Sequence, residues 1–136
     1  MVNSSPNEGV SFQPPMLAVD WLMREHSLEK IHLLHSDIQG FEREMLEGAR
    51  CAVLEGRIDW IFISTHARKL HHDCREWLVA RGWDLVADAN LDESYSVDGL
   101  LVAHRPGLYA PPLRSIARKG YLNGTEIHRN RDTTSE

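Results

Sequence analysis

Hydrophobic and polar positions fall along the chain in blocks whose periods predict alternating helices and strands. "MLAVDWLMREH" (16–26) sets Leu17 and Trp21, with Met16 and Met23, on one face of a short helix. "KIHLLHSD" (30–37) is too short and too apolar for a surface helix, and it lacks strict alternation. It reads as a buried strand covered on both faces. From Phe41 to Leu54, the apolar Phe41, Met45, Ala49, Ala52 and Val53 recur at helical spacing, while Glu42, Arg43, Glu44 and Glu47 fall largely elsewhere. This predicts one amphipathic helix stopped by Gly56. "IDWIFISTH" (58–66) is a second apolar strand, rich in β-branched and aromatic residues. Leu70 to Arg81 reads as another helix, with Leu70, Cys74, Trp77 and Leu78 inward and Gly82 as its stop. "WDLVADAN" (83–90) and "VDGLLVAHR" (97–105) are two further strands on either side of a short polar connection. Past Pro106 the chain reads as loop, with at most one helical turn around Arg114–Lys119.

Strands alternating with helices predict an α/β fold with right-handed crossovers, and the short last connection makes its closing strand pair antiparallel. In an open parallel sheet, ligands bind outside the carboxyl ends of the strands. Asp37 ends the first strand, and Ser64, Thr65 and His66 end the second. Gly40 then lets the backbone turn sharply into a helix whose N-terminus carries partial positive charge. Asp37 therefore reads as an acid facing a ligand. Its competing reading is a plain helix cap.

The 136 residues allow one domain: a loose leader at 1–15 holding Pro6, Gly9, Pro14 and Pro15, a folded part at 16–106, and an irregular tail at 107–136. The formal charge of −5 argues against a nucleic-acid binder, and the mildly basic tail reads as solvated. The leader lacks the charged start and apolar core of a signal peptide, and no apolar run nears the ~20 residues that span a bilayer. Cys51 and Cys74 show no Cys-x-x-Cys spacing, so the expectation is reduced thiols in a cytoplasmic protein without a membrane partner.

His66, His71 and His72 cluster with Asp73 and Cys74, and His32 and His35 lie on the first strand. No His-Glu-x-x-His or His-x-His spacing accompanies them, and adjacent His71 and His72 point about 100° apart on a helix, so no metal site is expected. A Ser64–His66 nucleophile pair would need a Gly-x-Ser-x-Gly elbow, which is absent. His66 suits a general base better, because an imidazole titrates near neutral pH. Its competing reading is a strand-end histidine satisfied by a neighbour. Trp21, Trp60, Trp77 and Trp83 read as core or sheet-covering residues.

"LLHSDIQGFEREMLEGA" (33–49) resembles the signature of FkbM-type methyltransferases, Leu-Leu-Lys-Ile-Asp-Val-Glu-Gly-Phe-Glu followed by an apolar residue, Leu and often Gly-Ala. "LAVDWL" before it, and "WIFISTH", "HHDCREWLVARGWDL" and "SYSVDGLLVAHR" after it, resemble the flanking segments in the same order, over about 13–106. The resemblance implies an S-adenosylmethionine-dependent methyltransferase, acting on a small-molecule or sugar hydroxyl. It implies part of a Rossmann-like sheet, mainly parallel with an antiparallel closing pair, ordered 4-5-7-6 in family numbering. Asp37 matches the family's strand-tip Asp, which implies a catalytic and cofactor-binding role. Gln39 stands in place of the usual Glu as a cofactor contact, and His35 in place of the usual Lys. His66 is the second catalytic candidate. Ser64, where many members carry Glu, joins Thr65 and His71 on the acceptor side. The family's Gly-rich cofactor loop has no counterpart, since no Gly-x-Gly occurs in the sequence. The expectation is thus the C-terminal half of such a domain, truncated and weak or inactive alone. The alternative is a non-catalytic partner subunit or interaction module. The strand at 30–37 would be an unprotected apolar edge, without Pro, Lys or Glu in Ile31–Ser36, expected to self-associate or recruit a partner chain.

Overall fold

Residues 15–94 and 96–110 are described by the computed structural model, together with the backbone of 119–122 and 125–128. The chain runs α1 (Val19–Glu25), β1 (Ile31–Ser36), α2 (Glu42–Gly48), α3 (Arg50–Leu54), β2 (Ile58–Thr65), α4 (Arg68–Val79), β3 (Asp84–Ala89) and β4 (Gly99–His104). These strands form one sheet in the order β1-β2-β4-β3. β1 pairs with β2 in parallel, from Ile31 opposite Ile58 to Ser36 opposite Ile63. β4 runs antiparallel to both of its neighbours. Three strands therefore share one direction and β4 alone is reversed, which is the partial Rossmann-like sheet expected above. The crossover from β1 to β2 through α2 and α3 keeps both carboxyl ends on one edge.

Alternation along β2 sorts its two faces. Ile61 and Ile63, with Leu101 and Ala103 of β4, pack into the core against Leu46, Val53, Cys74, Trp77 and Leu78 of the helices. Trp60, Phe62 and Ser64 alternate to the other face and stay half-buried. The expectation that β1 is covered on both faces does not hold. β1 is an edge strand, and Leu33 is 53% exposed.

Three further expectations are corrected. In α1 the buried residues are Val19 and Met23, while Leu17 and Trp21 are exposed. The reason lies in Asp20, whose two carboxylate oxygens accept the backbone N–H groups of Cys51 and Ala52 at 2.9 Å each. Those donors lie in the first turn of α3, where a carboxylate is favoured by both the unpaired N–H groups and the helix dipole. With Asp20 turned to α3, Trp21 points outward; Trp77 and Trp83 are buried and Trp60 half-buried. The same contact explains why the long helix expected over 41–54 divides at Ala49 into α2 and α3. Finally, the tail read as loop contains an antiparallel hairpin, β5 (Lys119–Leu122) with β6 (Thr125–His128). Lys119 therefore lies in a strand, and the rest of the helical turn proposed there, like residues 1–14 of the leader, lies outside the described residues.

Candidate functional site

Two adjacent parallel strands that stop together deliver their next residues to the same place. β1 stops at Ser36 and β2 at Thr65, so Asp37 and His66 emerge side by side. The loop after Asp37 takes a left-handed course, with φ +57° at Gln39 and +109° at Gly40. At Gly40 nothing would obstruct a Cβ, so it is the backbone angle that favours glycine there. This course folds the loop's N–H groups back onto Glu42. The N–H of Ile38 donates to Oε1 at 3.2 Å and that of Gly40 to Oε2 at 3.0 Å. Glu42 opens α2 and is completely buried. An acid in the first turn is favoured by the helix dipole, and these N–H donors replace the water it has lost.

Glu42 holds His66 as well. Its Oε1 lies 2.9 Å from Nδ1 of the imidazole. A carboxylate only accepts, so Nδ1 carries the hydrogen and donates it. Nε2 then points to the open edge. There it meets Oδ1 of Asp37 at 3.0 Å, the side-chain nitrogen of Gln39 at 3.0 Å and, more distantly, Oδ1 of Asp98 at 3.9 Å. Asp98 sits just before β4. The Asp37, Gln39 and His66 expected at one sheet edge are thus brought together. Asp37 is not a helix cap: the N-cap of α2 is Phe41, without a side-chain bond, and the Asp37 carboxylate faces His66 instead. The alternative reading of His66, an imidazole satisfied by neighbours, describes its Nδ1 but not the crowded Nε2.

Ser64, Thr65 and His71 do not join this group through any hydrogen bond or ion pair among the described residues. Ser64 lies on the opposite face of β2 from Thr65, opposite Leu100 in the ladder. Thr65 and His71 are enclosed, at 0% and 2% exposure. Thr65 Oγ1 is 2.8 Å from His71 Nδ1, His71 Nε2 is 2.8 Å from Asp88 Oδ1, and Arg75 Nε donates to Asp88 Oδ2 at 2.7 Å. Burial pushes the Asp88 carboxyl up, but the hydrogen bonds and charges of His71 and Arg75 outweigh it and hold the group below the usual carboxylate range. A Cβ on Gly99 would meet Thr65 Oγ1 at 2.4 Å and His71 Nδ1 at 2.8 Å, so β4 passes this network where only glycine fits.

Sequence reasoning missed Glu42 and Asp98. Glu42 did have a signal, because it closes the Asp-x-x-Gly-Phe-Glu core of the motif; Asp98 had none. Asp37, Glu42 and His66 also place one donor atom each within 4.8 Å of one another, a spacing that suits a cation. Beside the loop, Met16, Leu17, Ala18, Ile38, Phe41, Glu44, Met45 and Gly48 line a mostly apolar groove of about 530 Å³.

The Methyltransferase FkbM domain model matches residues 3–85. The chain belongs to the FkbM methyltransferase family. No curated protein and no solved structure matches it. The FkbM match contains Asp37, Gln39, Glu42 and His66, whereas Asp98 and β4 lie beyond it. Among the described residues, no helix is long and apolar enough to cross a membrane.

Proposed function

We propose that this FkbM-family chain supplies the acceptor side of an S-adenosylmethionine-dependent O-methyltransferase, acting on a hydroxyl of a small molecule or sugar. The observation that carries this reading is the convergence of Asp37, Gln39 and His66 at the carboxyl edge of β1 and β2, held from behind by buried Glu42. The residues fit the cofactor in charge. Asp37 is exposed and, among the described residues, Asp37, Glu42 and Asp98 form ion pairs with His66 and with no Lys or Arg. Such an acidic edge suits a ligand bearing a sulfonium and an ammonium group. Asp37 and Gln39 would hold it, and when bound it supplies an electrophilic methyl group. His66 Nε2, fixed in direction by Glu42, takes the proton of the acceptor hydroxyl. Asp37 orients that hydroxyl and balances the imidazolium that results.

The sequence contains no Gly-x-Gly, so contacts to the far end of the cofactor come from another polypeptide segment in this reading, and the chain by itself is weak or inactive. The edge strand β1, with Leu33 exposed on it, supports a second proposal, that β1 pairs with a partner chain or a second copy. Light scattering of the pure chain tests it, and a stable monomer at high micromolar concentration speaks against it. Two free thiols, Cys51 and Cys74, fit a cytoplasmic setting.

The test of function is transfer of a labelled methyl group from S-adenosylmethionine to hydroxylated acceptors, by the chain alone and co-expressed with any polypeptide encoded immediately upstream. Expected is incorporation in the co-expressed form and a loss of about 100-fold in Asp37→Ala, the size typical for one positioned polar group. Turnover undiminished by Asp37→Ala would show that this residue only shapes the loop.

A further inference from the structure

The crowding at His66 Nε2 calls for a positive centre. Glu42 accepts the hydrogen on Nδ1, so in the neutral ring Nε2 keeps a lone pair. The Gln39 amide N–H donates to that lone pair at 3.0 Å, yet the Asp37 carboxylate crowds it at the same 3.0 Å, with Asp98 Oδ1 at 3.9 Å. Two acceptors at such a distance repel unless a proton or a cation lies between them. Among the described residues no Lys or Arg reaches Asp37, Glu42 or Asp98, so three carboxylates surround one imidazole without another counter-charge.

The spacing also fits metal ligands. Bonds of about 2.1 Å at right angles put neighbouring ligand atoms about 3.0 Å apart, and opposed ones about 4.2 Å. The Asp37–His66 separation equals the first value, and the Asp98–His66 separation of 3.9 Å falls between the two. Gln39, its amide nitrogen 3.0 Å from Nε2, offers its oxygen instead after a half-turn of the amide. Behind the ring, Glu42 has the place that a carboxylate occupies behind metal-binding histidines, where it fixes both tautomer and direction. Its own position is fixed by the N–H groups of Ile38 and Gly40.

We propose that His66 Nε2, Asp37 and Asp98 bind a divalent cation of the manganese or zinc class, with Gln39 as a fourth donor and Glu42 as the positioning residue behind His66. One nitrogen with several oxygens suits such ions better than the softer copper(I). Asp37 and Asp98 are 48% and 34% exposed at their side chains, so the ion keeps positions open to solvent. With the ion bound, His66 is a ligand and not a base. Cation binding and proton uptake are alternatives for one nitrogen, so the metal-bound form cannot use His66 as the base proposed above, and binding is read by a titration that does not involve methyl transfer.

The full chain is freed of metal with a chelator and titrated with manganese(II), following loss of the free-ion signal by electron paramagnetic resonance. Expected is one ion per chain. His66→Ala and Asp37→Asn should each weaken binding at least tenfold, and Glu42→Gln by about 10–100-fold, as for other partners of metal-binding histidines. Asp73→Asn, which alters an acid paired with Lys69 on α4, leaves the affinity unchanged. Circular dichroism confirms folding, and Asp37, being exposed, is the variant that decides if Glu42→Gln does not fold. Absence of a stoichiometric site overturns the proposal, as does binding indifferent to Asp37→Asn and His66→Ala. So does a nitrogen NMR spectrum, taken with excess zinc(II), in which both ring nitrogens of His66 carry protons.

Discussion

His66 and His71 stand five positions apart in the chain and live in opposite surroundings. His71 is closed: each ring nitrogen has one partner, Thr65 on one side and Asp88 on the other, and Arg75 balances the acid. His66 is open: one nitrogen is held by buried Glu42, and the other meets two carboxylates and an amide at the edge of the sheet. A closed network spends its polar groups on holding β2, α4 and β3 together. An open one is also held from behind, yet it leaves a ring atom at the sheet edge, crowded by Gln39 and a carboxylate and within reach of a group from outside. Burial and satisfaction give His71 the surroundings of a structural residue, while fixed orientation at an open edge gives His66 the geometry that the proposed function requires.

The sharpest way to break this contrast is to delete each ring. His71→Ala opens a cavity beneath β4 and strips partners from Thr65 and Asp88, so it should cost about 3 kcal/mol in urea unfolding. His66→Ala leaves Glu42 its two backbone donors but takes one partner from a buried carboxylate, so it should cost about 1–2 kcal/mol, less than His71→Ala, while abolishing activity. Equal losses of stability would erase the distinction. Gly99→Ala presses on the closed network from the other side. With Thr65 Oγ1 2.4 Å and His71 Nδ1 2.8 Å from the new Cβ, it should cost about 1–3 kcal/mol. A neutral result would mean that Thr65 and His71 can separate freely.

The same contrast shows what the sequence could reveal. Strand order and the meeting of Asp37 with His66 were legible because apolar runs, connection lengths and parallel strand ends are all local signals. The enclosure of Thr65 and His71 in a network of their own was not legible. A strand of nearly continuous apolar residues hides which face looks toward the helices, and Thr65 proves to share the face of Ile61 and Ile63. Glu42 escaped because helical periodicity groups it with the outward acids. Its burial depends on the left-handed backbone at Gln39 and Gly40, which turns two N–H groups onto it. The break at Ala49 depends on Asp20, remote in sequence, and the place of Asp98 on strand pairing across the sheet. Each miss is a tertiary contact that overrides a local pattern.

The smallest effect expected is in acid. His71 and Arg75 hold Asp88 below the usual carboxylate range of about 3.8, so its folded form gives up its charge at lower pH than its unfolded form. Its contribution is complete above the unfolded value and is lost as pH falls through the folded one. The carboxylate is about a third exposed, so solvent screening limits this to about 0.5–1 kcal/mol. Thermal unfolding between pH 5 and 2.5 should therefore show Asp88→Asn losing stability less steeply than the parent, with the two melting temperatures converging at the acid end. Parallel curves would mean that the bonds from His71 and Arg75 do not hold Asp88 in its charged form, and the closed network would lose its ionic anchor.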